Sequence, residues 1–143
     1  MKSEGNSNFI LLYHRTPFEE DKDKLGKRIW IDQKSPNGII PTLRNLFRER
    51  SDGTWIAWRE VNNIEKAEDE RIDMEKPSSF TLRRIPLNKG EISSFYHVTS
   101  KESFWPILHT FPTYFDVNNA DWSIFEEVNK RFANAACIEA AEN

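Results

Sequence analysis

Asn8-Phe9-Ile10-Leu11-Leu12-Tyr13 is the stretch that decides the fold. The apolar run is continuous, so it lacks the in–out alternation of a half-buried strand, and it is too short for a helix. Such a run reads as a strand buried on both faces, the habit of a central strand in a parallel sheet. His14-Arg15-Thr16-Pro17 ends it. A parallel partner requires a crossover, and the elements needed for one follow along the chain.

From Phe18 to Gln33 the sequence is charged around one apolar knot, Ile29-Trp30-Ile31, which suits a mobile loop or a small surface hairpin. Ser35-Pro36-Asn37-Gly38 carries turn chemistry. Ile39, Ile40, Leu43, Leu46 and Phe47 then recur at helical spacing. After the Asp52-Gly53 turn, Thr54 to Val61 has strand composition. Asn62 to Ser79 is dense in charge and reads as a solvated loop or ragged helix, with Glu65 to Glu75 as a solvated face. Phe80 to Pro86 is a further strand, and Asn88 to His97 a helix. Thr99-Ser100-Lys101-Glu102 fits a capping box, so a second helix is expected to start there and to end or kink at Pro106. Trp122, Phe125, Val128, Phe132 and Ala135 form one stripe of a final amphipathic helix between Ala120 and Ala141, opposite Glu126, Asn129 and Lys130. The expected class is an α/β domain built on a largely parallel sheet. Met1 to Ser7 reads as a frayed tail, and residues 8–143 as one domain. An α/β unit would return to the sheet after the last helix, so the sequence is expected to be part of a longer protein.

Composition narrows the functional classes. The chain has 143 residues, 38% hydrophobic and 30% charged, with a net charge of -3. Charge gives no nucleic-acid footprint. No apolar run approaches the roughly 18–20 residues that span a bilayer. The N-terminus lacks a signal-peptide core. A single cysteine, Cys137, excludes an internal disulfide framework and fits a reducing compartment, which makes the cytoplasm the expected location. Within its alanine-rich helix Cys137 reads as a small core residue. His14, His97 and His109 have no metal-ligand spacing, and no metal or cofactor is assigned.

Three features could carry chemistry. Arg15 follows the first strand, at the edge where open α/β sheets collect ligands, and a guanidinium grips a phosphate with two parallel hydrogen bonds. Lys34 to Gly38 leads into a helix N-terminus, which favours anions, although no Walker or dinucleotide motif is present. Tyr96 and Trp105 offer apolar ring faces with polar tips. Nine residues apart, they would face opposite sides of one α-helix of about 3.6 residues per turn unless it breaks between them. Core packing is the plainer reading of both rings.

Several segments in order carry a resemblance. They are Leu12-Tyr13-His14-Arg15-Thr16-Pro17, Lys34-Ser35-Pro36-Asn37-Gly38-Ile39-Ile40-Pro41-Thr42-Leu43, Trp55-Ile56-Ala57-Trp58 and Arg83-Arg84-Ile85-Pro86-Leu87. Phe95 to His109, with its Trp105-Pro106 step, and Phe132-Ala133 complete the set. Together they resemble the N-terminal part of the retaining glycosyltransferases that make trehalose phosphate, and within that family its cyanobacterial-type glucosylglycerol-phosphate branch. The resemblance implies a two-domain GT-B fold with facing Rossmann-like halves, this chain being most of the first. It implies transfer of glucose from a nucleotide sugar to a phosphorylated acceptor, with retention of configuration. For the glucosylglycerol branch the donor would be ADP-glucose and the acceptor glycerol 3-phosphate, in compatible-solute synthesis under osmotic stress. The trehalose branch would use UDP-glucose and glucose 6-phosphate. A non-catalytic sugar-phosphate-binding subunit is the third expectation.

Carried over by that resemblance, Arg15 would bind the acceptor phosphate, with Tyr96 and Trp105 completing the acceptor pocket. Gly38 would place a backbone N–H on the donor phosphate side, with Asn37 structural or donor-adjacent. The family's next segment, of His-Asp-Tyr type, is not in this sequence. Neither is the second domain's basic pair for the donor phosphates, nor its carboxylate for the ribose. The residues present can form part of a site, and the chain alone is expected to be inactive.

Overall fold

The computed structural model describes residues 9–34, 38–48, 53–75 and 79–141. The expected tail, the Ser35-Pro36-Asn37 turn and Asp52 lie outside the described residues. Strands β1 (Ile10–Leu12), β4 (Thr54–Glu60), β5 (Glu70–Met74) and β6 (Phe80–Leu87) form one sheet in the order β1-β4-β6-β5. The β1–β4 and β4–β6 pairs are parallel and β5 runs antiparallel to β6. The sheet is therefore mixed with a parallel centre, as an α/β unit requires.

The first strand departs from its expected place. β1 lies at the edge of the sheet among the described residues, and Leu12 is exposed. The continuous apolar run is real, but its pairing through Ile10–Thr54 and Leu12–Ile56 uses one side only. The central strands are β4, whose first four residues Thr54, Trp55, Ile56 and Ala57 are all buried, and β6.

Alternation along β4 and β6 sorts the core into two layers. Trp55, Ala57 and Leu82 pack with Phe47, Phe80, Met74 and Phe18 on one face. Phe47 comes from helix α1 (Ile39–Arg48), which buries Ile40 and Phe47 and leaves Ile39 and Leu46 exposed. Gly53 permits this approach: a Cβ there would lie 2.8 Å from the Phe47 ring and 3.3 Å from the Phe9 carbonyl. On the opposite face Ile56, Ile85 and Leu87 meet Val128, Phe132 and Ala135 of helix α4 (Trp122–Ala141). The expected stripe thus holds at its centre, whereas Trp122 is 49% exposed. Cys137 is exposed rather than a core residue, because it lies outside the buried line Val128, Phe132, Ala135, Glu139.

The charged segments are structural in ways their composition concealed. Residues 18–33 form a hairpin, β2 (Glu19–Lys22) with β3 (Arg28–Ile31), turned by Gly26 at φ 78°. Within 62–79 the chain makes a 3-10 turn, Ile64–Lys66, and then β5, so the expected loop contains a strand. Glu65, Glu68, Asp69, Asp73 and Glu75 are exposed, as a solvated face requires, and Glu70 is the half-buried exception. Glu70 pairs with Arg28 of the hairpin and with Arg84 of β6, and Arg84 reaches Glu20 at 2.8 Å. Those pairs clamp the hairpin to the sheet. On the other face Arg83 binds Asp69 at 2.7 Å and the buried Glu139 of α4 at 3.0 Å.

After β6, helix α2 (Lys89–Ile92) starts with a reciprocal capping box between Asn88 and Glu91. No new helix starts at Thr99. Ser93–Phe104 continues as a π-helix into α3 (Trp105–Leu108). Thr99 is fully buried and caps nothing, so the capping pattern at 99–102 coincides with an uninterrupted helix. The wider winding is carried by bonds such as Trp105 N–H to the Ser100 carbonyl, five residues back. Pro106 fits this arrangement, and the helix ends two residues later at Leu108.

Candidate functional site

An open cleft of about 370 Å³ lies beyond the C-terminal ends of β1 and β4, lined by His14, Arg15, Thr16, Glu19, Gln33, Lys34 and Trp58. Three elements build it. The chain leaving β1 stays paired with β4: Tyr13 N–H donates to the Ile56 carbonyl at 3.0 Å and Trp58 N–H to the His14 carbonyl at 3.2 Å. The Trp55 indole N–H donates to the Arg15 carbonyl at 2.9 Å, fixing the backbone that presents the guanidinium. Gln33, just past the hairpin, donates through its side-chain amide to the Thr16 carbonyl at 3.0 Å.

The Arg15 side chain has no ion-pair or hydrogen-bond partner among the described residues. Arg28, Arg44, Arg59, Arg71, Arg83, Arg84 and Arg131, by contrast, each pair with a carboxylate of the fold. Arg15 and Lys34 therefore face a cleft with one lining carboxylate, Glu19. Such an arrangement attracts an anion.

Behind Arg15 lies an aromatic wall. The His14 ring centroid is 4.6 Å from Tyr96, 4.6 Å from Tyr13 and 4.9 Å from Trp58. Lys101 sits over the Tyr96 ring at 4.6 Å. Burial pulls His14 down to about 4, and the cations Arg15 and Lys101 act in the same direction. Its imidazole is neutral at neutral pH. Burial also raises the Tyr13 hydroxyl, with Arg15 opposing that shift.

Tyr96 thus joins the Arg15 neighbourhood through His14. Trp105 does not: its ring stacks on His109 at 4.0 Å and lies 6.3 Å from Phe111, and it is 49% exposed. A π-helical winding between four and five residues per turn turns nine residues through about two turns, bringing both positions towards one side of the helix without a break. Gly38 is exposed at the start of α1, its carbonyl accepting from the Thr42 hydroxyl at 3.2 Å. A Cβ there would meet nothing within 4 Å, so the local backbone does not demand glycine. Among the described residues no group of three or more His, Cys, Asp or Glu could hold a metal ion, and no helix is long and apolar enough to cross a membrane.

His14, Trp58 and Lys101 were not singled out by the sequence. The available signal was the Trp55-to-Trp58 spacing, which puts Trp58 on the face opposite Trp55, and a histidine immediately before Arg15.

Known proteins match this arrangement over almost the whole chain. The glucosylglycerol-phosphate synthase of Synechocystis sp. is 43% identical over 96% of this chain and 28% of its own length. The glucosylglycerol-phosphate synthase of Picosynechococcus sp. is 40% identical over 96% of this chain and 27% of its own. A solved trehalose-6-phosphate synthase, OtsA, superposes with a TM-score of 0.65 at 16% identity, covering 90% of this chain and 25% of that one. The fold is that of the GT-B trehalose-phosphate synthases, and the chain spans about a quarter of the length of these relatives. The model of glycosyltransferase family 20 matches residues 7–143, and the chain belongs to that family.

Proposed function

We propose that these residues form the acceptor side of a glucosylglycerol-phosphate synthase. The full-length enzyme transfers glucose from ADP-glucose to glycerol 3-phosphate with retention of configuration, supplying a compatible solute under osmotic stress. The observation that carries this reading is the unpaired Arg15 guanidinium, fixed through its backbone by Trp55 in a cleft that Lys34 also lines. The likeness at 43% identity to a glucosylglycerol-phosphate synthase supports this branch over the trehalose branch.

In this reading Arg15 grips the acceptor phosphate through two parallel hydrogen bonds. Tyr96, held by His14 and Trp58, walls the acceptor. Trp105, half-exposed and stacked on His109, is read as the outer wall of the acceptor pocket, on the side of the helix that Tyr96 occupies. Gly38 offers a backbone N–H at the α1 N-terminus to the donor phosphates. Transfer breaks the bond between the glucose anomeric carbon and the diphosphate, so negative charge develops on the leaving group. Stabilising that charge is usually the largest catalytic contribution. The groups for it belong to the part of the enzyme that this chain does not span, a C-terminal domain facing the cleft.

The test supplies ADP-glucose and glycerol 3-phosphate to the 143-residue chain and to the full-length protein. The expected result is no product from the chain alone and an α-linked glucosylglycerol phosphate from the full-length protein. A β-linked product, or turnover by the chain alone, overturns the reading.

A further inference from the structure

Lys101 is a cation that neither the fold nor the phosphate grip of Arg15 uses. It is exposed and makes no ion pair among the described residues, whereas Lys130, also exposed, pairs with Glu126 at 3.8 Å. Its ammonium lies 4.6 Å from the centre of the Tyr96 ring. That ring lies 4.6 Å from the His14 ring, and His14 lines the cleft beside Arg15. One aromatic ring therefore stands between the ammonium and the cleft wall.

The winding of the helix puts Lys101 there. Tyr96 and Lys101 are five residues apart. On an α-helix of about 3.6 residues per turn they would diverge by about 140°. In the π-helix Ser93–Phe104 the fifth residue returns nearly over the first. The Ser100 hydroxyl, donating to the Phe95 carbonyl at 2.7 Å, and the Trp105 N–H, donating to the Ser100 carbonyl, span the same five-residue step. The side of the helix that packs on His14 thus presents a ring with a cation above it.

The chemistry of a phosphate ester gives that cation a task. Such an ester carries about −1.5 to −2 charges at pH 7. Arg15 supplies one positive charge and a two-pronged grip. Lys34 lines the cleft from the hairpin side. Lys101 stands on the helix side, with Tyr96. Its long stem ends in a compact point charge with three rotatable donors, and its exposure leaves it free to swing.

We propose that Lys101 is a second cation for the acceptor, swinging from the Tyr96 ring to pair with phosphate oxygens that Arg15 leaves free. The inference rests on the acceptor reading given above. It makes the site selective for a doubly charged ester over a singly charged one of the same shape.

The test is titration calorimetry on the full-length protein, with glycerol 3-phosphate and with the corresponding terminal sulfate ester of glycerol. Wild-type protein should bind the phosphate more tightly, a comparison that needs no variant. Lys101→Met keeps an unbranched stem over Tyr96 and removes the charge. It should weaken the phosphate by about ten- to a hundredfold, the worth of one charge-assisted bond. The sulfate should weaken by only about three- to tenfold, because halving the ligand charge halves the attraction. Lys101→Arg should restore phosphate binding to within about threefold, since it returns a charge-assisted donor. Lys130→Met removes the same net charge from α4 and should change neither ligand by more than about twofold, because exposed charges are screened beyond about 10 Å at 0.1 M salt. The urea midpoint of Lys101→Met should match that of wild type, as expected for an exposed, unpaired side chain. Equal wild-type affinity for the two esters overturns the proposal. So does an undiminished or equal loss of both in Lys101→Met, the same loss in Lys130→Met, or no recovery in Lys101→Arg. Failure of wild-type protein to bind glycerol 3-phosphate overturns the acceptor reading itself, a different and recognisable outcome.

Discussion

Replacing Arg15 by lysine separates binding from folding. The Arg15 side chain makes no ion pair or hydrogen bond among the described residues, so the fold loses little when it is altered. A surface substitution of that kind stays within about 0.5 kcal/mol. The Trp55-to-Arg15 bond uses the backbone carbonyl and survives the change. Binding is different. Lysine keeps the charge but loses the planar fork, and a charge-assisted hydrogen bond is worth about 1.5–3 kcal/mol. Every 1.4 kcal/mol is tenfold, so acceptor affinity should fall by roughly ten- to a hundred-and-fifty-fold. Titration of glycerol 3-phosphate into both proteins, beside urea midpoints, reads the two quantities independently. Unchanged affinity would leave Arg15 a plain surface cation. A stability loss above about 2 kcal/mol would make it a structural residue, and the cleft would need another phosphate ligand.

Two further perturbations probe what holds and tunes the cleft. Glu139 is 1% exposed, with Arg83 at 3.0 Å, Arg71 at 3.3 Å and the Thr54 hydroxyl at 3.1 Å, so Glu139→Ala leaves Arg83 with Asp69 alone. Breaking a buried pair outright costs about 3–5 kcal/mol; because Arg83 keeps Asp69, Glu139→Ala should cost less than that, yet more than Arg71→Ala, which at the half-exposed end should cost under about 1 kcal/mol, and equal urea midpoint shifts would contradict this. His14, held down at about 4, should titrate there in NMR and remain neutral at pH 7. An unfolded histidine titrates near its ordinary value of about 6.5 and binds the extra proton between those limits, so His14 makes stability fall as pH drops from about 6.5 to 4 and level off below. A His14 midpoint at or above 6.5 would contradict the buried, cation-flanked ring.

The α/β class, α1, β4, β6 and the α4 stripe were legible because each rests on local periodicity. What the sequence concealed depends on tertiary pairing. Phe9 to Tyr13 is apolar enough for a central strand, yet among the described residues β1 lies at an edge, and β4 has the parallel partners on both sides. Glu70 to Met74 carries too much charge to look like a strand until Arg28 and Arg84 arrive from elsewhere to neutralise it. Thr99 to Glu102 has the letters of a cap, but the chain was already helical and wound more widely there. At the cleft, Arg15, which lines it, and Tyr96, which packs on His14, could be singled out as candidates from their segments. His14 could not, because its meaning lies in contacts across three elements.

In the proposed reading this cleft selects a small phosphorylated acceptor for glucosyl transfer. Offering the full-length protein ADP-glucose with glycerol 3-phosphate and glucose 6-phosphate at equal concentration tests it most directly. Glucosylglycerol phosphate should dominate the products; a disaccharide phosphate as the main product would contradict the account and assign the cleft to trehalose-phosphate synthesis.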